Sequence, residues 1–409
     1  MLTVAVALEK LVETVLPFGL SDIALEDSLG LVLGNDIDSP EDIPPFDKSL
    51  MDGYAVRSTD VSSGFASLRV TEIITAGCVP TKKVEAGEAA QIMTGAPMPE
   101  GADVVVKIEE TSRDRDHVSI RTPPPRLGTN IILRGTSVRV GDCVLRAGLV
   151  LSGACIGALA ELGRAVVPAR RRPNVAVLAT GDELVPVDEK PGPAQIRNSN
   201  ASMLAAQIET AGGIPVRLGI ARDDRDQLRQ KIQQGLQCDI LVLSGGVSAG
   251  TLDLVPSTLA EMGVTEIFHK VDMKPGKPIW FGKRDRSNQS SHPCQHSQCY
   301  VFGLPGNPVS SLVCCELFVR TAIRRLMGVK PASVQPNLAK LEHDYSTRKD
   351  RPTYHPARLT WGAGSLAVTL VPWHGSSDLC GTATANGMAY LSGEARQYRV
   401  GDELETFGW

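Results

Sequence analysis

The chain has 409 residues, of which 42% are hydrophobic and 22% are charged. This composition is typical of a globular protein, and the length predicts roughly two to four domains. The formal net charge of −4 excludes the broad cationic surface that binds nucleic acids or anionic membranes. We therefore expect no nucleic-acid and no membrane partner, and we expect any anionic ligand to occupy a local site.

The N-terminal segment from Met1 to Leu16 carries Glu9, Lys10 and Glu13 among its apolar residues. It lacks the basic start, long apolar run and cleavage site of a signal peptide, and no other run approaches the roughly 20 apolar residues of a membrane span. A cytoplasmic location is the expectation. The apolar spacing of this segment predicts a helix that Pro17 ends.

The nine cysteines form no disulfide framework, so reduced thiols are expected. One stretch contains four residues of the kinds that bind zinc, namely His292, Cys294, His296 and Cys299. This stretch is polar, rich in serine and flanked by apolar strands. A long exposed hairpin loop from Arg284 to Gln298 is therefore a stronger interpretation than a metal site.

Extended runs separated by glycine and proline predict a small β-domain after the N-terminal helix. The runs are Tyr54–Val56, Ala90–Ile92 and Val104–Ile108. If the later helix Ser152–Leu162 packs on the N-terminal helix, this β-domain is inserted within the first domain. The predicted domains are an N-terminal mixed domain (1–40 plus 136–171), the inserted small β-domain (41–135), an α/β domain (172–329) and a C-terminal β-barrel domain (330–409).

From Arg172 onwards, strands alternate with helices, which predicts a doubly wound, mostly parallel sheet covered on both faces. The predicted strands are Asn174–Ala179, Pro215–Ile220, Asp239–Leu243, Glu266–His269, Pro278–Phe281 and Tyr300–Phe302. The predicted helices are Ser199–Ala211, Asp224–Gln234, Leu254–Met262 and Pro308–Met327. Beyond Pro331, extended runs such as Ser365–Val371 predict a small β-barrel. The fold class is thus multidomain α/β and β.

Ligands of such sheets bind beyond the carboxyl ends of the strands, where this chain places carboxylates and glycines. These residues are Asp182, Glu183, Asp223, Ser244, Gly245, Gly246, Ser248 and Asp253. Glycines allow backbone N–H groups to approach an oxyanion, whereas carboxylates repel an anion unless a cation lies between them. The combination predicts a Mg²⁺-assisted site, although any one Asp or Ser could serve only as a helix cap.

A second cluster places Lys274 and Lys277 among prolines, and Asn307 and Pro308 follow it after the predicted hairpin. The lysines supply point charges that suit an oxyanion. An N-cap asparagine with proline at the first helical position opens a further helix N-terminus that can receive an anion. The two clusters together predict a rim that holds a nucleotide-like ligand and a tetrahedral oxyanion.

Six motifs, in one order and over essentially the whole chain, resemble those of the molybdopterin molybdenumtransferases. They are Pro44-Pro-Phe-Asp-Lys-Ser-Leu-Met-Asp-Gly-Tyr-Ala-Val-Arg57, Ile92-Met-Thr-Gly-Ala-Pro-Met-Pro-Glu-Gly-Ala-Asp103, Thr180-Gly-Asp-Glu-Leu184, Ser244-Gly-Gly-Val-Ser248, Lys274-Pro-Gly-Lys-Pro278 and Gly303-Leu-Pro-Gly-Asn-Pro308. The resemblance implies a homodimer, joined through the N-terminal domain, whose active site lies between the α/β domain of one subunit and the small β-domain of the other.

The resemblance also implies roles for individual residues. Asp52 and Thr94 reach the active site from the second subunit. Asp182, Glu183, Asp223 and Asp253 match positions associated with the metal or with hydrolysis of the adenylate, and Lys274 and Lys277 match the anion-binding lysines. The implied substrates are adenylylated molybdopterin and molybdate, with Mg²⁺ as cofactor and AMP as a product. The enzymes that supply this substrate or accept the finished cofactor, a molybdopterin adenylyltransferase and molybdoenzymes, are the implied partners.

The chain departs from the family pattern outside the α/β domain. Arg134 remains from an arginine-rich stretch, Pro356 stands where the family has an arginine, and Ser376 is kept, but a serine-rich stretch reads Cys380-Gly-Thr-Ala-Thr384. We hypothesise that the oxyanion site is altered, in its contacts, in a preference for tungstate or in its activity. Unchanged molybdate affinity after the family residues are restored at Ile132, Ser137 and Pro356 would remove the basis for this hypothesis.

Two other functions compete with this interpretation. A non-catalytic molybdopterin-binding scaffold or carrier would keep the fold without the chemistry, and it predicts the loss of site residues that are still present here. The adenylyltransferase of the preceding step resembles only the α/β domain, so it leaves the Asp52 motif and the β-barrel unexplained.

Overall fold

The computed structural model describes residues 1–246, 254–286, 297–362 and 364–409, and the chain divides into two compact units. The larger unit consists of Met1–Gly34, Val150–Ser152 and Val166–Trp409. The smaller unit consists of Asn35–Leu149 and Gly153–Ala165. The smaller unit therefore interrupts the larger one in sequence.

A six-stranded sheet lies at the centre of the larger unit. Its strand order is Ile214–Ala221, Asn174–Thr180, Ile240–Ser244, Gln298–Leu304, Trp280–Asp285 and Thr265–His269. The first four strands are parallel, and the last two are antiparallel to their neighbours. The predicted mostly parallel sheet is confirmed. The fifth strand begins at Trp280, later than predicted, because Pro275 to Pro278 form a turn.

Helices cover both faces of this sheet, which explains why its strands are apolar at nearly every position. Val175 and Val177 face one core, whereas Ala176 and Leu178 face the other. The helices of the larger unit are Val4–Thr14, Ser199–Thr210, Arg225–Gly235, Leu254–Glu261, Pro308–Cys314 and Arg320–Leu326.

The prediction of one α-helix from Pro308 to Met327 is wrong in its middle, because a π-helical turn spans Cys315–Val319. Glu316 in this turn is buried and accepts hydrogen bonds from Gln207 at 2.7 Å and from Arg320 at 2.9 Å. One wider turn leaves the surrounding apolar periodicity almost unchanged, so the sequence pattern does not reveal it.

The C-terminal part of the larger unit is a closed five-stranded barrel, as predicted. Its strands, in barrel order, are Asn337–Leu341, Ser365–Leu370, Thr353–Gly362, Gly387–Leu391 and Glu403–Gly408. The barrel meets the α/β part where the Lys274 N–H donates to the Pro352 carbonyl at 2.8 Å and the Tyr354 N–H donates to the Lys274 carbonyl at 2.7 Å.

The smaller unit is built on a second six-stranded sheet. Its strand order is Val104–Lys107, Gly53–Val56, Glu88–Ile92, Phe65–Ile74, His117–Arg121 and Thr111–Asp114. The helix Gly153–Glu161 belongs to the same unit. The predicted small β-domain is present, and its apolar core includes Tyr54, Val56 and Val104.

Short strand pairs and turns complete the two units. The pairs are Ser21–Ala24 with Val166–Ala169, Ile37–Asp38 with Cys143–Leu145, Lys48–Ser49 with Ile131–Ile132, Leu184–Val185 with Ile196–Arg197, and Tyr345–Ser346 with Gln397–Tyr398. The 3-10 turns are Leu25–Asp27 and Ile108–Glu110. Across the described ranges, none of the helices has the length and apolar character that crossing a membrane requires.

Candidate active site

A cleft of about 910 Å³ opens beyond the carboxyl ends of the parallel strands. Three neighbouring strands contribute Thr180, Ser244 and Pro305 to its wall at or just after their ends. This is the expected ligand position for a parallel sheet, because loops on its two faces separate there. The sequence predicts this edge as the site, and the cleft lies at it.

Glu183 lines the cleft in a conformation that requires glycine two residues earlier. Gly181 has a φ of +140°, and a Cβ at this position would collide with the Glu183 carboxylate. Arg222 holds the same turn from the other side, since its Nη1 donates to the carbonyl oxygens of Asp182 and Leu184, each at 2.8 Å. The backbone on both sides of Glu183 is thus fixed by one guanidinium.

Asp223 also lines the cleft, and its backbone N–H donates to Asp182 Oδ1 at 3.1 Å. The adjacent Asp224 has a different role, because it caps the helix Arg225–Gly235 by accepting a hydrogen bond from the Gln227 N–H at 2.8 Å. The capping explanation therefore applies to Asp224, while Asp223 and Glu183 are part of the cleft wall.

These carboxylates suit a hard divalent cation. Mg²⁺ typically uses one or two protein carboxylates and completes its shell with water and substrate phosphates. Within the described ranges, no group of three His, Cys, Asp or Glu side chains converges as a complete metal cage. The predicted ligand Asp253 lies outside the described residues. Among the residues that line the cleft, Glu183 and Asp223 therefore fit Mg²⁺ shared with a phosphate-bearing substrate.

The glycine turn after the third strand differs from the prediction in one respect. Gly245 and Gly246 have φ values of +97° and +65°, and both pass close to Thr180. The Gly245 N–H donates to the Leu304 carbonyl at 3.1 Å, so it holds the turn and does not offer a free N–H to an anion. This corrects the prediction for Gly245 and leaves Gly246 as a candidate. Ser248 lies outside the described residues.

Asn307 begins the helix Pro308–Cys314 at its N-cap position, with proline at the start of the helix. The Asn307 side chain does not cap the helix. Its Nδ2 donates to Ser376 Oγ at 2.9 Å, and the Val309 N–H donates to the Ser376 carbonyl at 3.0 Å. The helix start and the C-terminal segment that contains Ser376 are thus joined next to the cleft.

The two predicted anion-binding lysines are arranged differently from the carboxylates. Lys274 Nζ lies 2.6 Å from Asp350 Oδ2, and both side chains are about 40% exposed. The hydrogen bond from Lys274 holds the pKa of the Asp350 carboxyl below its usual range. Lys277 is exposed in the turn, and neither lysine is among the residues that line the cleft. The positive charge of Lys274 is therefore already paired.

The segment from Ser377 to Cys380 lines the cleft from the barrel side. Asp378 closes it into a turn by accepting hydrogen bonds from His374 Nδ1 at 3.0 Å and from the Gly381 N–H at 2.9 Å. These bonds, that from His374 first, lower the pKa of the Asp378 carboxyl. A Cβ at Gly381 would collide with this carboxylate, so the glycine of the Cys380-Gly-Thr-Ala-Thr384 stretch fits the turn that Asp378 forms.

Asp52 and Thr94 lie together in the smaller unit. The backbone N–H and the hydroxyl of Thr94 both donate to Asp52 Oδ1 at 2.7 Å. These two bonds lower the pKa of the Asp52 carboxyl, which therefore stays ionised at neutral pH. Arg134 is also held by a carboxylate, because its Nε lies 2.6 Å from Asp42 Oδ2.

Three residues of the zinc-like group, His292, Cys294 and His296, lie outside the described residues. Cys299 is buried in the strand Gln298–Leu304, and burial raises the pKa of its thiol to about 12. A thiol in that environment is a poor source of the thiolate that binds metals.

Sequence reasoning missed several residues that shape the cleft. Asn200 lines it, Arg222 supports the Glu183 turn, and Asp378 orders the barrel side. The Asn198-Ser-Asn200 sequence at the start of the predicted helix Ser199–Ala211 was an available signal, because two asparagines exceed what one N-cap needs.

Three family models together match most of this chain. The model described as the MoeA N-terminal region (domain I and II) matches residues 2–163, that of a probable molybdopterin binding domain matches residues 176–325, and that of the MoeA C-terminal region (domain IV) matches residues 339–407. The same family appears among solved structures. A molybdopterin biosynthesis MoeA protein from Pyrococcus horikosii superposes with a TM-score of 0.79 at 29% identity, with 100% of each chain covered.

Curated relatives give the family its name. Molybdopterin molybdenumtransferase from Staphylococcus aureus is 34% identical over 391 residues, covering 94% of this chain and 90% of the relative. The enzyme of that name from Staphylococcus epidermidis is 32% identical over 393 residues, with the same coverage. The chain belongs to the molybdopterin molybdenumtransferase family, and it is a transferase of molybdenum cofactor biosynthesis.

Proposed function

We propose that this enzyme inserts molybdenum from molybdate into the dithiolene of adenylylated molybdopterin, with Mg²⁺-dependent hydrolysis of the adenylate and release of AMP. The observation that carries the proposal is the cleft itself. It combines two carboxylates, Glu183 and Asp223, with the Ser244–Gly246 turn and the helix start at Asn307. Such a site suits a substrate that bears phosphates and is cleaved with the help of a metal.

The proposed site residues have different roles. Asp182, Glu183, Asp223 and Asp253 would hold Mg²⁺, which when bound would offset the negative charge of the adenylate phosphates. Ser244, Gly246, Ser248 and Asn307 would bind substrate anions through hydroxyl, amide and N–H donors. Gly245 supports this group by shaping the turn. Holding both substrates in one cleft would contribute much of the rate, because reaction then needs no further encounter.

The second part of the proposal concerns groups outside the cleft. Asp52 and Thr94 would come from a second subunit of a homodimer, while Arg134, Lys274, Lys277 and Ser376 would bind molybdate. Asp52 is ionised, and its carboxylate is held in place by two hydrogen bonds from Thr94, which suits a group that positions a substrate by its negative charge. A molybdopterin adenylyltransferase and molybdoenzymes, in the cytoplasm, are the proposed partners before and after this step.

The test is AMP release from adenylylated molybdopterin with Mg²⁺, measured with molybdate, with tungstate and without either oxyanion. Wild-type protein should release AMP only with an oxyanion, and the more effective oxyanion identifies the metal. Glu183→Gln keeps the size of the side chain but removes its charge, so it should abolish release. Glu189→Gln is the matched control and should retain full activity, because Glu189 is exposed in the loop between the short strands Leu184–Val185 and Ile196–Arg197.

A scaffold or carrier role is the second candidate, and one observation favours it. Two basic residues that would bind molybdate, Lys274 and Arg134, each pair with a carboxylate. Tight binding of adenylylated molybdopterin without AMP release under any oxyanion would support this role and would exclude the transferase proposal.

A further inference from the structure

Asn200 connects the start of a helix to two turns at the edge of the cleft. It lies in the first turn of the helix Ser199–Thr210, and its Nδ2 donates to Ser244 Oγ and to the Gly306 carbonyl, both at 2.8 Å. Ser244 ends the third parallel strand, and Gly306 follows the fourth. One side-chain amide thus joins the helix to the two turns proposed to bind anions.

The helix does not need Asn200 as a cap. Asn198 is the N-cap, and its side chain accepts a hydrogen bond from the Ala201 N–H at 3.1 Å. The orientation of the Asn200 amide follows from its partners, because the Gly306 carbonyl can only accept and must therefore face Nδ2. The two asparagines consequently have different roles, and that of Asn200 is directed at the cleft.

The Oδ1 atom of Asn200 is in a different situation from Nδ2. Its Oδ1 is buried and accepts no hydrogen bond from the described part of the chain. A buried acceptor without a donor costs folding free energy, and such costs are concentrated at functional sites. A side chain that served only folding stability would not leave a buried acceptor without a donor at the edge of the cleft.

We propose that Asn200 is a positioning residue for the anion-binding half of the cleft. It acts through Ser244 and Gly306, and it fixes the spacing between the Ser244–Gly246 turn and the helix start at Asn307. Because Asn307 donates to Ser376, the same series of contacts extends to the C-terminal segment. This inference rests on the proposed function, since it assumes that the two turns bind anions of the substrate.

Asn200→Ala tests the proposal. We expect the KM for adenylylated molybdopterin to rise about tenfold while kcat changes by less than about threefold, because the change loosens binding of ground state and transition state alike. Asn200→Asp has nearly the same size, but it sets a carboxylate against the Gly306 carbonyl and adds charge beside the anion site. Its KM should rise further, by about a hundredfold.

A double-mutant cycle shows whether Asn200 acts through Ser244. If it does, the fold-change in KM of the variant that carries both Asn200→Ala and Ser244→Ala is smaller than the product of the fold-changes of the two single variants. Thr210→Ala, an exposed change at the other end of the same helix, is the control and should leave KM and thermal stability unchanged.

Two results would overturn the inference. One is an unchanged KM in Asn200→Ala, with or without a lower Tm, and the other is fully independent effects in the cycle with Ser244.

Calorimetric titration with AMP keeps the test separate from the proposed function. If wild-type protein fails to release AMP, the proposed function fails, while weaker AMP binding by the Asn200 variants still supports the positioning role and unchanged binding refutes it.

Discussion

The turns that contain Glu183 and Lys274 lie in the same unit and belong to the same predicted site, yet they are prepared to different degrees. Around Glu183, Gly181 and Arg222 fix a carboxylate that lines the cleft. The Lys274 ammonium group instead pairs with Asp350 of the barrel part. The turn that contains Glu183 is therefore preorganised, whereas Lys274 would have to exchange Asp350 for the proposed oxyanion.

Among the changes that test this comparison, Gly181→Ala should have the largest effect. The added Cβ collides with the Glu183 carboxylate, and displacement of a catalytic group by about 1 Å can cost a hundredfold in rate. We expect AMP release to fall by at least that factor while the fold is retained. Gly157→Ala adds a Cβ in open space on a helix and is the matched control. Near-normal activity in Gly181→Ala would show that the Glu183 turn is not preorganised.

Arg222→Met should have a smaller effect on the same turn. It removes two hydrogen bonds from a charged donor to the carbonyls of Asp182 and Leu184, and one such bond corresponds to about a tenfold change. We expect kcat to fall about tenfold, and Arg222→Lys should recover part of the loss because it keeps a charged donor. Equal activity of the Met and Lys variants would contradict this role.

Asp350→Asn tests the ion pair of Lys274. Releasing Lys274 from its ion pair should lower the KM for molybdate by about threefold, since an exposed pair contributes roughly 0–1 kcal/mol. The folding stability should change by less than about 1 kcal/mol for the same reason. The gain should disappear in Asp350→Asn combined with Lys274→Met. A KM that rises in Asp350→Asn would mean that the ion pair is part of the working site.

The smallest expected effect is the pH dependence that His355, in the barrel part, gives to the folding stability. His355 is buried against Tyr345 and Trp373, and burial lowers the pKa of its imidazole. Because the unfolded chain binds the proton more readily, stability should be constant above the ordinary histidine pKa of about 6.5 and should fall as the pH drops below it. Denaturant unfolding at pH 7.5 and pH 5.5 measures this loss, which should shrink in His355→Phe. An equal loss in the variant would assign it to other groups.

Much of the molecule could be predicted because the signals are local. The alternation of buried strands with helices predicts the parallel sheet, as the strand Asn174–Thr180 shows by facing a core on each side. The residues directly after a strand must lie at the edge of the sheet, so Glu183, Asp223 and Ser244 could be assigned to one site from their positions alone. The six motifs are also local signals, and their order along the chain identified the family.

Other features depend on which distant segments meet, and only the tertiary structure decided them. Lys274 and Asp350 are 76 residues apart, and Asn200 lies 44 residues from Ser244 and 106 from Gly306. No periodicity in the sequence encodes such pairs, because they arise where the packing of whole elements brings two loops within hydrogen-bonding distance. The sequence by itself thus determined the elements, the edge that carries the site and the family, while packing determined which of the predicted groups face the cleft and which are already paired.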